Sequence, residues 1–242
     1  MKKRHFLFSF ASYLLLLTIL CTTISAISVF YMPKSTGVHT PSDAIPSSFT
    51  VVLDAGHGGE DGGACSADGI VEKDLNLALT LQLGEMLQAN GIRVVYTRKE
   101  DTLLYDKNAD YQGRKKVLDM AERLRIAQEA GECIFVSIHM NTHPLTSCKG
   151  LQVWYSENNT ESIELAQRIQ ANVKTLQPQN TRLVKPSNGT IYLLRQLECP
   201  AVLVECGFLS NPEEARQLND EAYRAQLALV LFASIVESRT QN

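Results

Sequence analysis

The chain has 242 residues, 45% hydrophobic and 20% charged, which allows one sizeable globular domain plus an appendage. Lys and Arg number 23 against 26 Asp and Glu, a net charge of −3. There is neither the basic excess nor the aromatic-basic interleaving of a nucleic-acid binder, so nucleic acid is excluded as a partner.

After Lys2, Lys3 and Arg4, no charged residue occurs until Lys34, and Phe6 to Tyr31 is rich in Leu, Ile and Phe. Residues 1–32 read as a signal or membrane-anchor segment. A signal-peptide core has about 7 to 15 apolar residues and a bilayer span about 20, so the length favours an uncleaved anchor. Ala26-Ile27-Ser28 offers a competing cleavage site. In either case the leading basic residues keep the N-terminus inside and send the rest of the chain across the membrane. Cys21 is no lipid-anchor site, because Leu20 stands where a small residue is required. Residues 33–48 place Pro33, Pro41 and Pro46 among Ser, Thr and Gly, a composition that reads as a flexible linker. The folded domain is expected over 49–242.

Within it, Thr50 to Asp54 reads as a first strand. Lys73 to Ala89 follows as a helix, with Leu75, Leu79, Leu83, Met86 and Leu87 on one face and Asn90-Gly91 as its stop. Arg93 to Thr97 is a strand, Lys116 to Ala130 a helix, and Cys133 to His139 and Leu151 to Tyr155 are strands. A helix over Glu161 to Leu176 precedes strands at Ile191 to Leu194 and Ala201 to Glu205. Asn211-Pro212-Glu213-Glu214 opens a helix with a cap, a proline and acidic first-turn residues, and Glu221 to Val236 forms the last. The strands lack clean two-residue alternation, as expected when both faces are covered. The fold class is α/β: a single domain with a mostly parallel twisted sheet of about six strands flanked by helices, ligands binding beyond the carboxyl ends of the strands.

Four residues at strand or helix ends carry the chemistry: His57 in Leu-Asp-Ala-Gly-His-Gly-Gly, Glu72 in Val-Glu-Lys-Asp, His139 in Val-Ser-Ile-His-Met-Asn, and Glu205 in Val-Leu-Val-Glu-Cys-Gly. Imidazole and carboxylate are zinc ligands, and three of them leave a fourth position for water, with the spare carboxylate as base. Each also has an ordinary reading. His57 among glycines suits a tight turn or phosphate loop, although no Walker Gly-Lys-Ser/Thr follows it. Glu72 could serve the helix dipole, and His139 could be a satisfied core histidine. Glu205 is the least ordinary, because an acid ending an apolar strand is costly to bury without a cation nearby.

Taken together, the blocks Leu53 to Ala64, Glu72-Lys73-Asp74, Tyr96-Thr97-Arg98, Ser137 to Asn141 and Val204 to Pro212 resemble the zinc-dependent N-acetylmuramoyl-L-alanine amidases of the amidase 3 type. The resemblance implies a mixed sheet flanked by helices, one Zn2+ per chain held by His57, Glu72 and His139, and Glu205 as the catalytic carboxylate. Ala55 stands where the family usually has proline and Cys206 where it has a larger aliphatic; neither supplies chemistry. The longer segment from Leu103 to Lys116, the N-terminal segment and the lack of a separate wall-binding domain resemble the spore-cortex amidase subgroup. That resemblance implies peptidoglycan as substrate, stem-peptide removal as the first step toward muramic-δ-lactam, a location near the forespore cortex, and room for an activating or targeting protein partner.

A zinc peptidase acting within the stem peptide, or a silent regulator on the same scaffold, are the competing functions. His139 and His143 lack the intervening glutamate of a His-Glu-x-x-His helix, and Cys206 suits a packed thiol better than a nucleophile. Among the cysteines, Cys133, Cys199 and Cys206 read as core or near-core thiols. Cys65 and Cys148, each following a candidate histidine, are either a disulfide pair or free thiols.

Overall fold

Six consecutive residues, Thr50–Ala55, are buried in the first strand, β1, because the sheet to which they belong is covered on both faces. The computed structural model describes residues 49–106 and 112–240. The expected membrane segment and linker lie outside the described residues, as do 107–111 of the long segment. Among the described residues no helix is long and apolar enough to cross a membrane.

The remaining strands are β2 (Arg93–Tyr96), β3 (Cys133–Asn141), β4 (Gln152–Tyr155), β5 (Lys185–Pro186) and β6 (Ala201–Phe208). The helices are α1 (Glu72–Ala89), α2 (Lys115–Glu129), α3 (Glu161–Asn172), α4 (Tyr192–Gln196), α5 (Pro212–Asn219) and α6 (Glu221–Thr240). The strand order is β2-β1-β3-β6-β4-β5. Every neighbouring pair is parallel except β4 with β6, as the expected mostly parallel sheet requires.

Strand residues alternate between two cores. Val51, Leu53, Ile134, Val136, Ile138, Val202 and Val204 join Leu75, Leu79, Leu83 and Leu87 of α1 and Leu227, Leu231 and Ile235 of α6. Val52, Phe135 and Ala201 face the other way, with Leu193 and Leu194 of α4 and Ala127 of α2. The four leucines of α1 recur every fourth residue and share one face. Each such burial contributes about 1.5–3 kcal/mol. Successive side chains on a strand point to opposite faces. Asp54, Ser137, His139, Leu203 and Glu205 therefore share the face covered by α2 and α4.

Two sequence expectations fail near the edge of the sheet. Ile191 to Leu194 is no strand: Ile191 is extended, and the short helix α4 begins at Tyr192, burying Leu193 and Leu194. An apolar run of four cannot distinguish strand from helix by periodicity, and here packing beneath the sheet decides. The sixth strand is instead Lys185–Pro186, which pairs with Trp154 and Tyr155. A proline lacks the N–H a ladder needs and is tolerated at an edge, so composition concealed this strand. The expected helix from Glu161 ends at Asn172 and continues as a 3-10 turn over Val173–Thr175.

The Asn211 side chain accepts from Glu213 N and Glu214 N at the start of α5, and its amide donates to Thr146 O at 2.8 Å. Asn211→Ala is expected to cost about 1–2 kcal/mol in denaturant unfolding, with Asn211→Asp losing less. Equal losses in the two variants would contradict the capping role.

Candidate metal centre

β1 ends at the glycine-rich turn that carries His57, and the turn is held by its carbonyl oxygens. Arg98 donates to Ala55 O at 2.9 Å and to Gly56 O at 3.0 Å. Arg123 donates to Ala55 O at 2.7 Å and to His57 O at 2.6 Å. These contacts hold His57 at φ 60°, a left-handed conformation that non-glycine residues rarely adopt. Arg123 is 1% exposed, and its charge is met by Asp54 at 2.6 Å and Asp119 at 2.8 Å. Burial alone would raise the Asp54 pKa, but Arg123, Ser137 and Thr97 outweigh it and hold the carboxylate ionised. Ser137 Oγ donates to Asp54 at 2.6 Å and Thr97 Oγ1 at 2.7 Å.

Glu72 is the first residue of α1. It serves the site more than the helix dipole, because its carboxylate turns toward both histidines. Oε1 lies 2.9 Å from His139 Nδ1 and 3.2 Å from His57 Nε2. Met140 N and, from the next turn of the helix, Asn76 Nδ2 donate to the same oxygen, while Ala64 N holds Oε2 at 2.7 Å. Burial would raise the Glu72 pKa, but the two histidines and their hydrogen bonds depress it strongly.

The histidine rings meet edge to face with centroids 5.0 Å apart. Two glycines make room for them: a Cβ at Gly56 would stand 2.2 Å from the His139 ring, and one at Gly63 would stand 2.5 Å from Glu72 Oε2 and 2.7 Å from the His57 ring.

One donor atom from each of His57, Glu72 and His139 falls within 4.8 Å of the others. Tetrahedral ligands with bonds of 2.0–2.1 Å stand about 3.3 Å apart, so the two histidine-to-carboxylate separations suit a shared ion. His57 Nδ1, on the far side of its ring, lies 3.0 Å from Asp61, in the position of the carboxylate that commonly orients a metal-binding imidazole. Burial would lower the His57 pKa, but Glu72 and Asp61 raise it.

Glu205 is His139's cross-strand neighbour on β6. Just beyond this pair, two residues of β3 oppose three of β6, a bulge of the kind that re-aims side chains beside active sites. Glu205 Oε2 is buried and has no hydrogen-bond partner among the described residues, and burial pushes its pKa up to about 7. A cavity of about 190 Å³ opens beside the histidines, floored by Leu193, Leu194 and Leu203 and walled by Met120 of α2.

All four sequence-predicted residues thus converge on one end of the sheet. The long segment's flank and end also reach it: Asp101, just before the segment, accepts from Gly59 N and pairs with Lys73, and Lys116 at its end lies 3.3 Å from Asp61. Arg123 and Asn76 were not singled out in the sequence, and Asp61 and Arg98, which stand in quoted motif blocks, were given no role there. Usable signals existed in the helical four-residue spacings Asp119 to Arg123 and Glu72 to Asn76. Cys65 and Cys148 are free thiols; Cys65 contacts Ser66 O and Cys148 contacts His143 Nδ1.

An open α/β sheet with a His-Glu-His donor set, a dry carboxylate and an adjoining cleft defines the class of metal-dependent hydrolases. The Amidase_3 family, described as N-acetylmuramoyl-L-alanine amidase, matches residues 51–237, and the chain belongs to that family of peptidoglycan amidases. The germination-specific N-acetylmuramoyl-L-alanine amidase of Bacillus subtilis is 32% identical, over 82% of this chain and 84% of the relative. Among solved structures, the CwlD amidase of Clostridioides difficile in complex with the GerS lipoprotein aligns with TM-score 0.75 at 38% identity, covering 79% of this chain and 98% of that one. An N-acetylmuramoyl-L-alanine amidase from Clostridium difficile 630 aligns with TM-score 0.68 at 31% identity, covering 79% and 96%.

Arg123→Met leaves Asp54 and Asp119 buried without their cation and is expected to cost roughly 3–5 kcal/mol in denaturant unfolding; a loss below about 1 kcal/mol would contradict the network's role. Glu205 supplies a pH test. Its folded pKa of about 7 lies above the 4.5 of an ordinary glutamate, so protonation stabilises the fold below pH 4.5 and that stability is lost as pH rises through 7. In metal-free protein, Glu205→Gln should therefore gain up to roughly 3 kcal/mol over the parent at pH 8 and nothing comparable at pH 4. A gain independent of pH would contradict the raised pKa.

Proposed function

We propose that this amidase is a zinc enzyme of the spore cortex, in which His57, Glu72 and His139 hold one Zn2+ and Glu205 carries the proton. The observation that supports it most strongly is the meeting of three zinc-type donors with an unpartnered carboxylate beside an apolar cleft. The bond cut is the amide between N-acetylmuramic acid and the L-alanine of the stem peptide. When bound, the ion supplies Lewis-acid polarisation of the amide carbonyl and a lowered pKa for water.

The chain's own groups do the rest. Met140 N and Ala64 N hold the Glu72 carboxylate, Asp61 orients His57, and the cleft floored by Leu193 and Leu203 limits water around the bond. Glu205 would accept a proton from the attacking water and pass it to the departing L-alanine nitrogen; its burial, which raises its pKa in the metal-free protein, favours the protonated form that the second transfer needs.

Two features support the wider setting. The similarity to a germination-specific amidase favours the cortex and a role in forming muramic-δ-lactam, and the similarity to an amidase solved with a lipoprotein favours a protein partner that activates or targets the enzyme. Residues 1–32 as anchor or signal and 33–48 as tether would hold the domain, 49–242, outside the cytoplasmic membrane against its substrate.

Full-length protein supplied with zinc and purified peptidoglycan should release stem peptides bearing a free L-alanine amine, identified by mass spectrometry, and leave lactyl carboxylates on the glycan. Peptides cleaved between amino acids would contradict the amidase assignment in favour of a peptidase. Glu205→Gln should keep its zinc and lose about 10²–10⁴-fold in rate, whereas His57→Ala and His139→Ala should lose zinc as well. Near-full hydrolysis in the first, or normal zinc content in the others, would overturn the assigned roles.

A further inference from the structure

At the end of the sheet opposite the metal centre, Cys133 opens β3 and Cys199 stands two residues before β6. Their sulfurs are 3.6 Å apart. The spacing follows from the strand register: Phe135 pairs with Ala201, and stepping back two residues on each strand brings Cys133 opposite Cys199. Neighbouring strands lie about 4.8 Å apart, within the range of Cα separations that a disulfide bridges.

We propose that Cys133 and Cys199 are the site of an intramolecular disulfide that staples the start of β3 to the segment leading into β6. Neither residue takes part in the amidase chemistry, since His139 lies six residues, or about 20 Å, further along β3.

The surroundings favour the reaction. Cys133 is 2% exposed, whereas Cys199 is only partly buried, so a small oxidant reaches the pair through Cys199. In the reaction, one thiolate of the pair attacks a sulfur of an external small-molecule disulfide and releases one thiol. The second cysteine sulfur, giving up its proton, displaces the other external thiol and closes the bond. Two cysteine thiols are oxidised to one disulfide while the external disulfide is reduced to two thiols. An exported domain meets such oxidants. The other cysteines among the described residues differ: Cys206 is buried on the opposite face with Val204 O as its contact, Cys65 is exposed, and Cys148 faces His143.

The bond would close a loop across 66 sequence positions, which restricts the unfolded chain. Full-length protein treated with oxidised glutathione, alkylated and mapped without reduction should yield a linked peptide pair containing Cys133 and Cys199, two hydrogens lighter than the separate thiols. The melting temperature should rise by about 5–15 °C. Cys199→Ala and Cys133→Ala should each abolish both effects. Recovery of Cys133 and Cys199 as free thiols while exposed Cys65 carries glutathione would overturn the proposal, as would a linked pair with no rise in melting temperature.

Discussion

Arg123 is buried on the α2 face of the sheet with no water to solvate it, so every one of its donors must find an acceptor inside the protein. Asp54 and Asp119 neutralise it, and the carbonyls of Ala55 and His57 take its remaining hydrogen bonds. A cation of this kind fixes distances on all sides at once: the end of β1, the helix α2 and the turn after β1 are held against one another. His57 sits in an unfavourable backbone conformation that this clamp, with Arg98, sustains. A buried ion pair is weak evidence for stability in itself. Here its consequence is positional, because its two carbonyl contacts hold the turn that aims the His57 imidazole at Glu72.

From that clamp the rest of the site follows through the pleat. Alternation puts Asp54, Ser137, His139 and Glu205 on one face, and parallel pairing of β1, β3 and β6 brings their carboxyl ends into a row. α1 then begins where its first residue can face both histidines. The α2 and α4 layer covers this face with apolar side chains, and burial of Glu205 Oε2 without a partner among the described residues makes its charged form costly. That cost raises the pKa of the carboxyl group toward neutral. Gly56 and Gly63 complete the arrangement by leaving out side chains that would occupy the space of the rings and the carboxylate.

Much of this was legible in the sequence. Apolar runs of Val, Ile and Leu without alternation identified buried parallel strands, the leucine spacing identified α1, and ligand-type residues at element ends marked His57, Glu72, His139 and Glu205. The failures share a cause. Ile191 to Leu194 is too short for its period to be read, and Lys185–Pro186 has the composition of a loop, so both are decided by tertiary packing. Arg123 escaped notice, and Arg98, quoted within the Tyr96-Thr97-Arg98 block, was given no role, because a charged residue in a helix or after a strand is ordinarily solvated and only the three-dimensional carbonyl array explains their burial. The close cysteine pair was missed because Cys133 and Cys199 are distant in sequence and become neighbours only through the β3–β6 register.

The central claim is that His57, Glu72 and His139 together bind a single metal ion. Crystals of zinc-loaded protein measured on both sides of the zinc absorption edge test it most directly. The account predicts one anomalous peak about 2.0–2.2 Å from a nitrogen of each histidine and an oxygen of Glu72. A fully occupied peak elsewhere, such as between His143 and Cys148, with this triad left unligated, would contradict it.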